Sequence, residues 1–220
     1  MKFKAVIFDL DGTLLNTLED LANSMNAVLS KLGLPLHNTE KYKYFVGTGL
    51  RNLVRKALPE EKQDDVTVDS CLAAMREEYS RRWADKTRPY DGIPELLDEL
   101  TKRNIKMSIL SNKAHEFTEL IVDKFLSKWR FEAVFGERPS VPKKPDPTAA
   151  LEIARLLAVP PGEFLYLGDS GTDMKTANEA GMYAVGVLWG FRKEEELTAN
   201  GARAVISKPA DLIGLLEQNI

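Results

Sequence analysis

The chain has 220 residues, 44% hydrophobic and 29% charged, a balance that excludes disordered and fibrous chains and places it among ordinary globular proteins. At ~150 residues per domain the length amounts to about one and a half domains, and a chain this long can bury a sizeable core. With 30 Lys and Arg against 33 Asp and Glu the net charge is −3, so no basic surface for nucleic acid or membranes is expected.

In chain order, Ala5-Val6-Ile7-Phe8 is a short apolar run of the kind buried on both faces of a parallel sheet, and it stops at Asp9. A tight Asp11-Gly12-Thr13 turn follows. Apolar residues then recur at 18, 21, 22, 25, 28, 29 and 32, one face of a helix that Gly33 and Pro35 end. Leu50 to Leu58 and Val68 to Trp83 carry further helical patterns, so residues 16–86 read as helix upon helix with no strand. After Pro89-Tyr90-Asp91-Gly92 the pattern alternates: a helix from Pro94 to about Arg103, a strand from Ile105 to Leu110 ending at Ser111, and a helix through Phe117, Leu120, Ile121 and Phe125. A short strand around Ala133 to Phe135 leads to a proline-rich loop, with Pro147 in the first turn of the next helix. Phe164 to Leu167 reaches Gly168-Asp169, a helix runs to Ala180-Gly181, and Tyr183 to Val187 and Ala204 to Ile206 complete the strands.

This alternation predicts a parallel sheet with helices on both faces, and such sheets bind ligands at the carboxyl ends of their strands. Three of the runs end in Asp9, Ser111 and Asp169, which should therefore meet at one sheet edge. Asp9 and Asp11, with Asp169 and Asp173, bring four carboxylates there. That donor set suits Mg²⁺, which prefers hard oxygen ligands and needs only a few from protein, and the repulsion among the carboxylates itself calls for a cation. Ser111-Asn112-Lys113 offers a hydroxyl and backbone N–H groups to phosphate oxygens, while Pro145 and Pro147 restrict the chain that carries Lys144. Each motif alone has a plain structural explanation, since Asp-Gly is a common turn and Gly-Asp a common helix cap. Their recurrence at several strand ends favours function.

The set Asp9-Leu10-Asp11-Gly12-Thr13, Ser111-Asn112-Lys113, Lys144-Pro145-Asp146-Pro147 and Gly168-Asp169-Ser170-Gly171-Thr172-Asp173 resembles, in order and spacing, the four motifs of the haloacid dehalogenase-like superfamily. With Val46-Gly47-Thr48-Gly49-Leu50 and Pro89-Tyr90-Asp91-Gly92 the chain is similar to that superfamily's phosphoglycolate phosphatase branch. The resemblance implies an α/β fold, a Rossmann-like parallel sheet core (residues 1–15 and 87–220) with an inserted all-α helical cap (16–86). It implies a Mg²⁺-dependent phosphatase for a small phosphomonoester, phosphoglycolate favoured, working through an aspartyl phosphate. Asp9 would be the nucleophile and Asp11 the general acid and base. Asp9, the Asp11 carbonyl and Asp169 would hold the metal, with Asp173 behind them. Lys144 and Ser111, helped by Asn112, would cradle the phosphate, Thr13 would orient Asp11, and Gly49 and Arg51 would face the substrate, Arg51 contacting a carboxylate or second phosphate. Asn16 stands where relatives often carry Asp.

A β-phosphoglucomutase or pyrophosphatase would share this core, and a phospho-acceptor receiver has similar strand-end residues but needs no 70-residue helical insertion. A haloalkanoate dehalogenase would lack the second aspartate. No G-x-x-x-x-G-K-[ST] or G-x-G-x-x-G occurs. His37, His115, Arg81 and Arg82 read as surface residues. Cys71, the single cysteine, cannot form an internal disulfide, and with no secretory leader pattern or ~20-residue apolar span a cytoplasmic monomer or homodimer is expected.

Overall fold

The computed structural model describes residues 3–217; positions 1–2 and 218–220 of the expected core lie outside the described residues. Six parallel strands form the central sheet: β1 (Ala5–Phe8), β4 (Lys106–Ala114), β5 (Ala133–Glu137), β6 (Phe164–Gly168), β7 (Tyr183–Val187) and β8 (Ala204–Ile206), in the order β5-β4-β1-β6-β7-β8. Alternation along β1 shows why both faces are covered. Val6 and Phe8 join the cluster built with α5 (Ile93–Lys102), α6 (His115–Leu126) and α10 (Asp211–Glu217). Ala5 and Ile7 point the other way, into the cluster with α7 (Thr148–Leu157), α8 (Gly171–Glu179) and α9 (Glu194–Ala199). All four β1 side chains are buried, as their uniform apolarity requires.

Between β1 and α5 lie α1 (Leu18–Lys31), α2 (Thr39–Tyr42), α3 (Leu50–Ala57) and α4 (Asp65–Arg82). Their apolar faces pack into a separate cluster around Met25, Leu29, Tyr42, Val54, Val68 and Met75, which Ala114, Phe117 and Phe191 enter from the sheet side. The helical segment joins the sheet through a two-stranded antiparallel neck, β2 (Leu15–Asn16) against β3 (Arg88–Pro89). Asp20, buried in the first turn of α1, secures it by accepting from the Lys86 and Thr87 N–H groups and the Thr87 hydroxyl at 2.8–3.0 Å.

The structure differs from the sequence reading in a few places. β4 does not end at Ser111 but continues to Ala114 through a register irregularity after Leu110, so Ser111, Asn112 and Lys113 are strand residues. The neck strands are too short for any hydrophobic period to reveal. Pro147 caps α7 instead of lying in its first turn, and the short α2, α9 and α10 were not expected. Among the described residues no helix is long and apolar enough to cross a membrane.

Candidate active site

β4, β1 and β6 are adjacent, and their carboxyl ends deliver Ser111, Asp9 and Asp169 to one crevice. After Asp9 the chain folds tightly, the N–H groups of Thr13, Leu14 and Leu15 all turning back to the Leu10 carbonyl. Gly12 makes this possible: it sits at φ +93°, and a Cβ there would lie 2.4 Å from Asp169 Oδ2. Gly190, in the loop after β7, packs as tightly on the other side of Asp169, and the Phe191 N–H donates to Asp169 Oδ2 at 2.7 Å.

Asp173 enters from the start of α8. Its Oδ2 accepts from the Ser170 N–H (3.2 Å) and hydroxyl (2.5 Å), a capping box that leaves Oδ1 turned to the crevice. There Lys144 meets it. The buried ammonium donates to Asp173 Oδ1 at 2.6 Å, Asp9 Oδ1 at 2.8 Å and the Leu110 carbonyl at 2.9 Å, using all three hydrogens. Asn112 fixes the lysine backbone in turn, accepting from the Lys144 N–H and donating to its carbonyl, and also donates to Gly47 O across the crevice at 3.0 Å.

Asp9, Asp169 and Asp173 are all buried, and one carboxylate oxygen from each lies within 4.8 Å of the others. The electrostatic strain is visible in their ionisation. Burial raises the Asp9 carboxyl to about 7, with Lys144 opposing and Asp173 and Asp11 adding to the rise. Burial, then Asp9 and Asp173, hold Asp169 well above the usual carboxylate range. Burial disfavours the Lys144 ammonium, but Asp173 and Asp9 outweigh it and raise its pKa. One lysine does not balance three carboxylates, and a hard-oxygen donor set with residual negative charge fits a small divalent cation.

Asp11 lies beside this cluster. Its Oδ1 accepts from Thr17 Oγ1 at 2.7 Å, and its two oxygens accept from Lys113 Nζ at 3.1 and 3.3 Å. Thr13, expected to orient Asp11, does not: its hydroxyl is buried without a hydrogen-bond partner, and its carbonyl accepts from Trp189 Nε1. The side chain that reaches back comes from the start of α1, where the strand-to-helix entry returns Thr17 over the turn.

Above the carboxylates is a crevice floored by Asp9, Asp11, Ser111, Asn112 and Lys113 and roofed by Val46, Gly47, Gly49, Leu50, Leu53 and Tyr79. Gly49 caps α3 at φ +92°, where a Cβ would approach Lys143 Nζ at 3.1 Å. Arg51 is not brought to the crevice. It donates to Asp65 and Asp69 on the exposed α3–α4 surface, at 2.9 Å each, because one helical step past Leu50 its side chain leaves the roof. Lys113 and Thr17 are the residues the sequence reading passed over. Lys113 stood within a quoted motif, but only the continuation of β4 places its ammonium on Asp11.

A family model described as haloacid dehalogenase-like hydrolase matches residues 6–187. The chain is similar to the phosphoglycolate phosphatase of Aquifex aeolicus, 29% identical with 99% of this chain and 98% of that one covered. It is 32% identical to the phosphoglycolate phosphatase of Pseudomonas putida, over 97% of this chain and 78% of the relative. A crystal structure of a candidate phosphoglycolate phosphatase from Lactobacillus delbrueckii subsp. bulgaricus superposes with a TM-score of 0.92 at 28% identity, covering 98% and 99% of the two chains.

Proposed function

We propose that this chain, which belongs to the haloacid dehalogenase-like hydrolase family, is a Mg²⁺-dependent phosphatase of small phosphomonoesters, with phosphoglycolate the favoured substrate. The observation that carries the reading is the buried Lys144 ammonium held between Asp9 and Asp173, with Asp169 beside it and Asp11 two residues beyond Asp9. The names of the relatives from Aquifex aeolicus and Pseudomonas putida support the substrate.

Asp9 attacks phosphorus through a carboxylate oxygen and takes the phosphoryl group as an aspartyl phosphate, dividing one difficult displacement into two. Lys144 favours the ionised form of Asp9 against the effect of burial and, with the Ser111 hydroxyl, binds the phosphate oxygens that gain charge in the transition state. Asp11 gives its proton to the departing ester oxygen and then takes one from the water that attacks the aspartyl phosphate. Thr17 and Lys113 hold Asp11 for both transfers. Asp9, the Asp11 carbonyl and Asp169 are the groups that would hold Mg²⁺, with Asp173 behind them. When bound, the ion supplies the positive charge that lets a carboxylate approach an anionic ester. Residues 16–86 act as the cap, whose Gly47 and Gly49 allow its backbone close to the substrate and whose apolar roof excludes water.

The test is steady-state phosphate release from phosphoglycolate with Mg²⁺ and with chelator, alongside Asp9→Asn. Metal-dependent turnover that the variant lacks is expected; equal activity in wild type and variant would overturn the mechanism.

A further inference from the structure

Lys113, which holds Asp11, is a buried ammonium on the floor of the crevice. Two of its hydrogens face the Asp11 carboxylate, and its nitrogen stands 4.6 Å from the centroid of the Tyr79 ring, which α4 lowers from the roof. Burial opposes its charge, but Asp11 and Tyr79 outweigh that and keep it protonated. Tyr79 is also buried, 1% exposed, and its hydroxyl, beside the Lys113 ammonium, has no acceptor in the protein. Burial pushes that hydroxyl up to about 12, so it remains a donor at neutral pH. Natural proteins seldom bury a hydroxyl without an acceptor. Here an ammonium and a phenol without an acceptor line the same crevice, and what they lack in common is an anion.

Among the described residues the other cations around the crevice serve elsewhere. Lys144 sits among Asp9, Asp173 and Leu110, where the phosphate is bound; Lys143 pairs with Glu137 at 2.7 Å; Arg51 pairs with Asp65 and Asp69. Arg192 donates to the Lys43 and Val46 carbonyls.

We propose that Lys113 and Tyr79 form the subsite that binds the carboxylate on the leaving group of the favoured substrate. The inference rests on the phosphatase reading above. Its distances follow from that chemistry: Asp11 must lie within about 3 Å of the ester oxygen to protonate it, and Lys113 Nζ is 3.1 Å from Asp11. In an α-hydroxy acid one carbon separates ester oxygen from carboxylate, which brings the carboxylate within reach of Lys113 as the leaving oxygen meets Asp11. The other side chains of the roof, Val46, Leu50 and Leu53, are apolar and cannot pair with the hydroxyls of a sugar phosphate.

The experiment compares phosphoglycolate with its uncharged amide, 2-phosphoglycolamide, and with p-nitrophenyl phosphate, in the wild type, Tyr79→Phe and Lys113→Met. A charge-assisted hydrogen bond predicts a wild-type preference for acid over amide of about 100-fold in kcat/KM, carried mainly by KM. Tyr79→Phe should cut that preference about tenfold, and Lys113→Met should remove it. Because Lys113→Met leaves Asp11 unpaired and risks misfolding, the wild-type preference and Tyr79→Phe stand as tests without it. Equal use of acid and amide by the wild type, or an equal loss on both esters in Tyr79→Phe, would overturn the subsite. Failure of the wild type to release phosphate from any of the three esters would overturn the phosphatase reading beneath it.

Discussion

The floor and the roof of the crevice are built on opposite principles. The floor is ionic and tied down: a backbone N–H fixes the Asp169 carboxylate, a capping box fixes Asp173, and Lys144 joins Asp9, Asp173 and the Leu110 carbonyl. The roof is apolar and glycine-rich, meeting the floor through a few bonds, Asn112 to Gly47 and Arg192 to the Lys43 and Val46 carbonyls. Chemistry common to every phosphate ester belongs in the rigid part. Discrimination among esters belongs where the roof meets the floor, with Tyr79 over Lys113.

That division is broken most directly at Asp9. Asp9→Asn should reduce phosphate release by about 10⁴-fold or more while circular dichroism shows the fold intact, because the amide replaces a buried carboxyl of the same shape. Lys144→Met tests whether the floor is held as a unit. It leaves Asp9 and Asp173 facing each other without a cation, and thermal unfolding should show a loss of about 3–5 kcal/mol, partly restored by Mg²⁺. Saturating Mg²⁺ at 100 times its dissociation constant should itself add about 2.7 kcal/mol, a gain that differential scanning fluorimetry would find reduced in Asp169→Asn.

The pH dependence of the metal-free protein follows from Asp9. Its folded-state pKa, about 7, lies above the ordinary 3.8, so the folded protein holds this proton more tightly than the unfolded chain. The contribution is present below about pH 4 and is lost as pH rises toward 7; unfolding curves in chelator should show that decline, and Asp9→Asn should flatten it. The roof should respond on a smaller scale. Arg192→Ala, which removes two bonds between core loop and cap, should raise KM about tenfold with a lesser change in kcat. Arg51→Ala, on the outer surface of the cap, should change kcat/KM by no more than about twofold.

The floor was legible in the sequence because its residues stand where a pattern stops: Asp9 and Asp169 interrupt apolar strands, and Lys144 is framed by prolines. The roof was not, since Leu50, Leu53 and Tyr79 also satisfy the helical periodicity of an ordinary core, and the same period that predicts α3 cannot say which side of it faces the floor. Arg51 shows the cost, being two residues past a glycine that lines the crevice and yet pointing to solvent-side aspartates. Thr13 and Thr17 make the same point for side chains whose partner depends on how a turn closes. Lys113 needed β4 to run on past its apolar stretch, an extension made by pairing Ala114 with Glu137 of β5 and invisible to hydrophobicity.

The neck has a consequence for how such proteins diversify. Leu15 and Pro89 stand side by side as an antiparallel pair, so the chain leaves the sheet and comes back at almost the same point. Exchanging everything between them need not change the register of β1, β4 or β6, nor the spacing of Asp9, Lys144 and Asp169. The helical segment is attached like an interchangeable cassette, with Asp20 and Thr87 as its clasp, so a lineage could replace the recognition of one alcohol with another while inheriting the hydrolytic machinery unaltered.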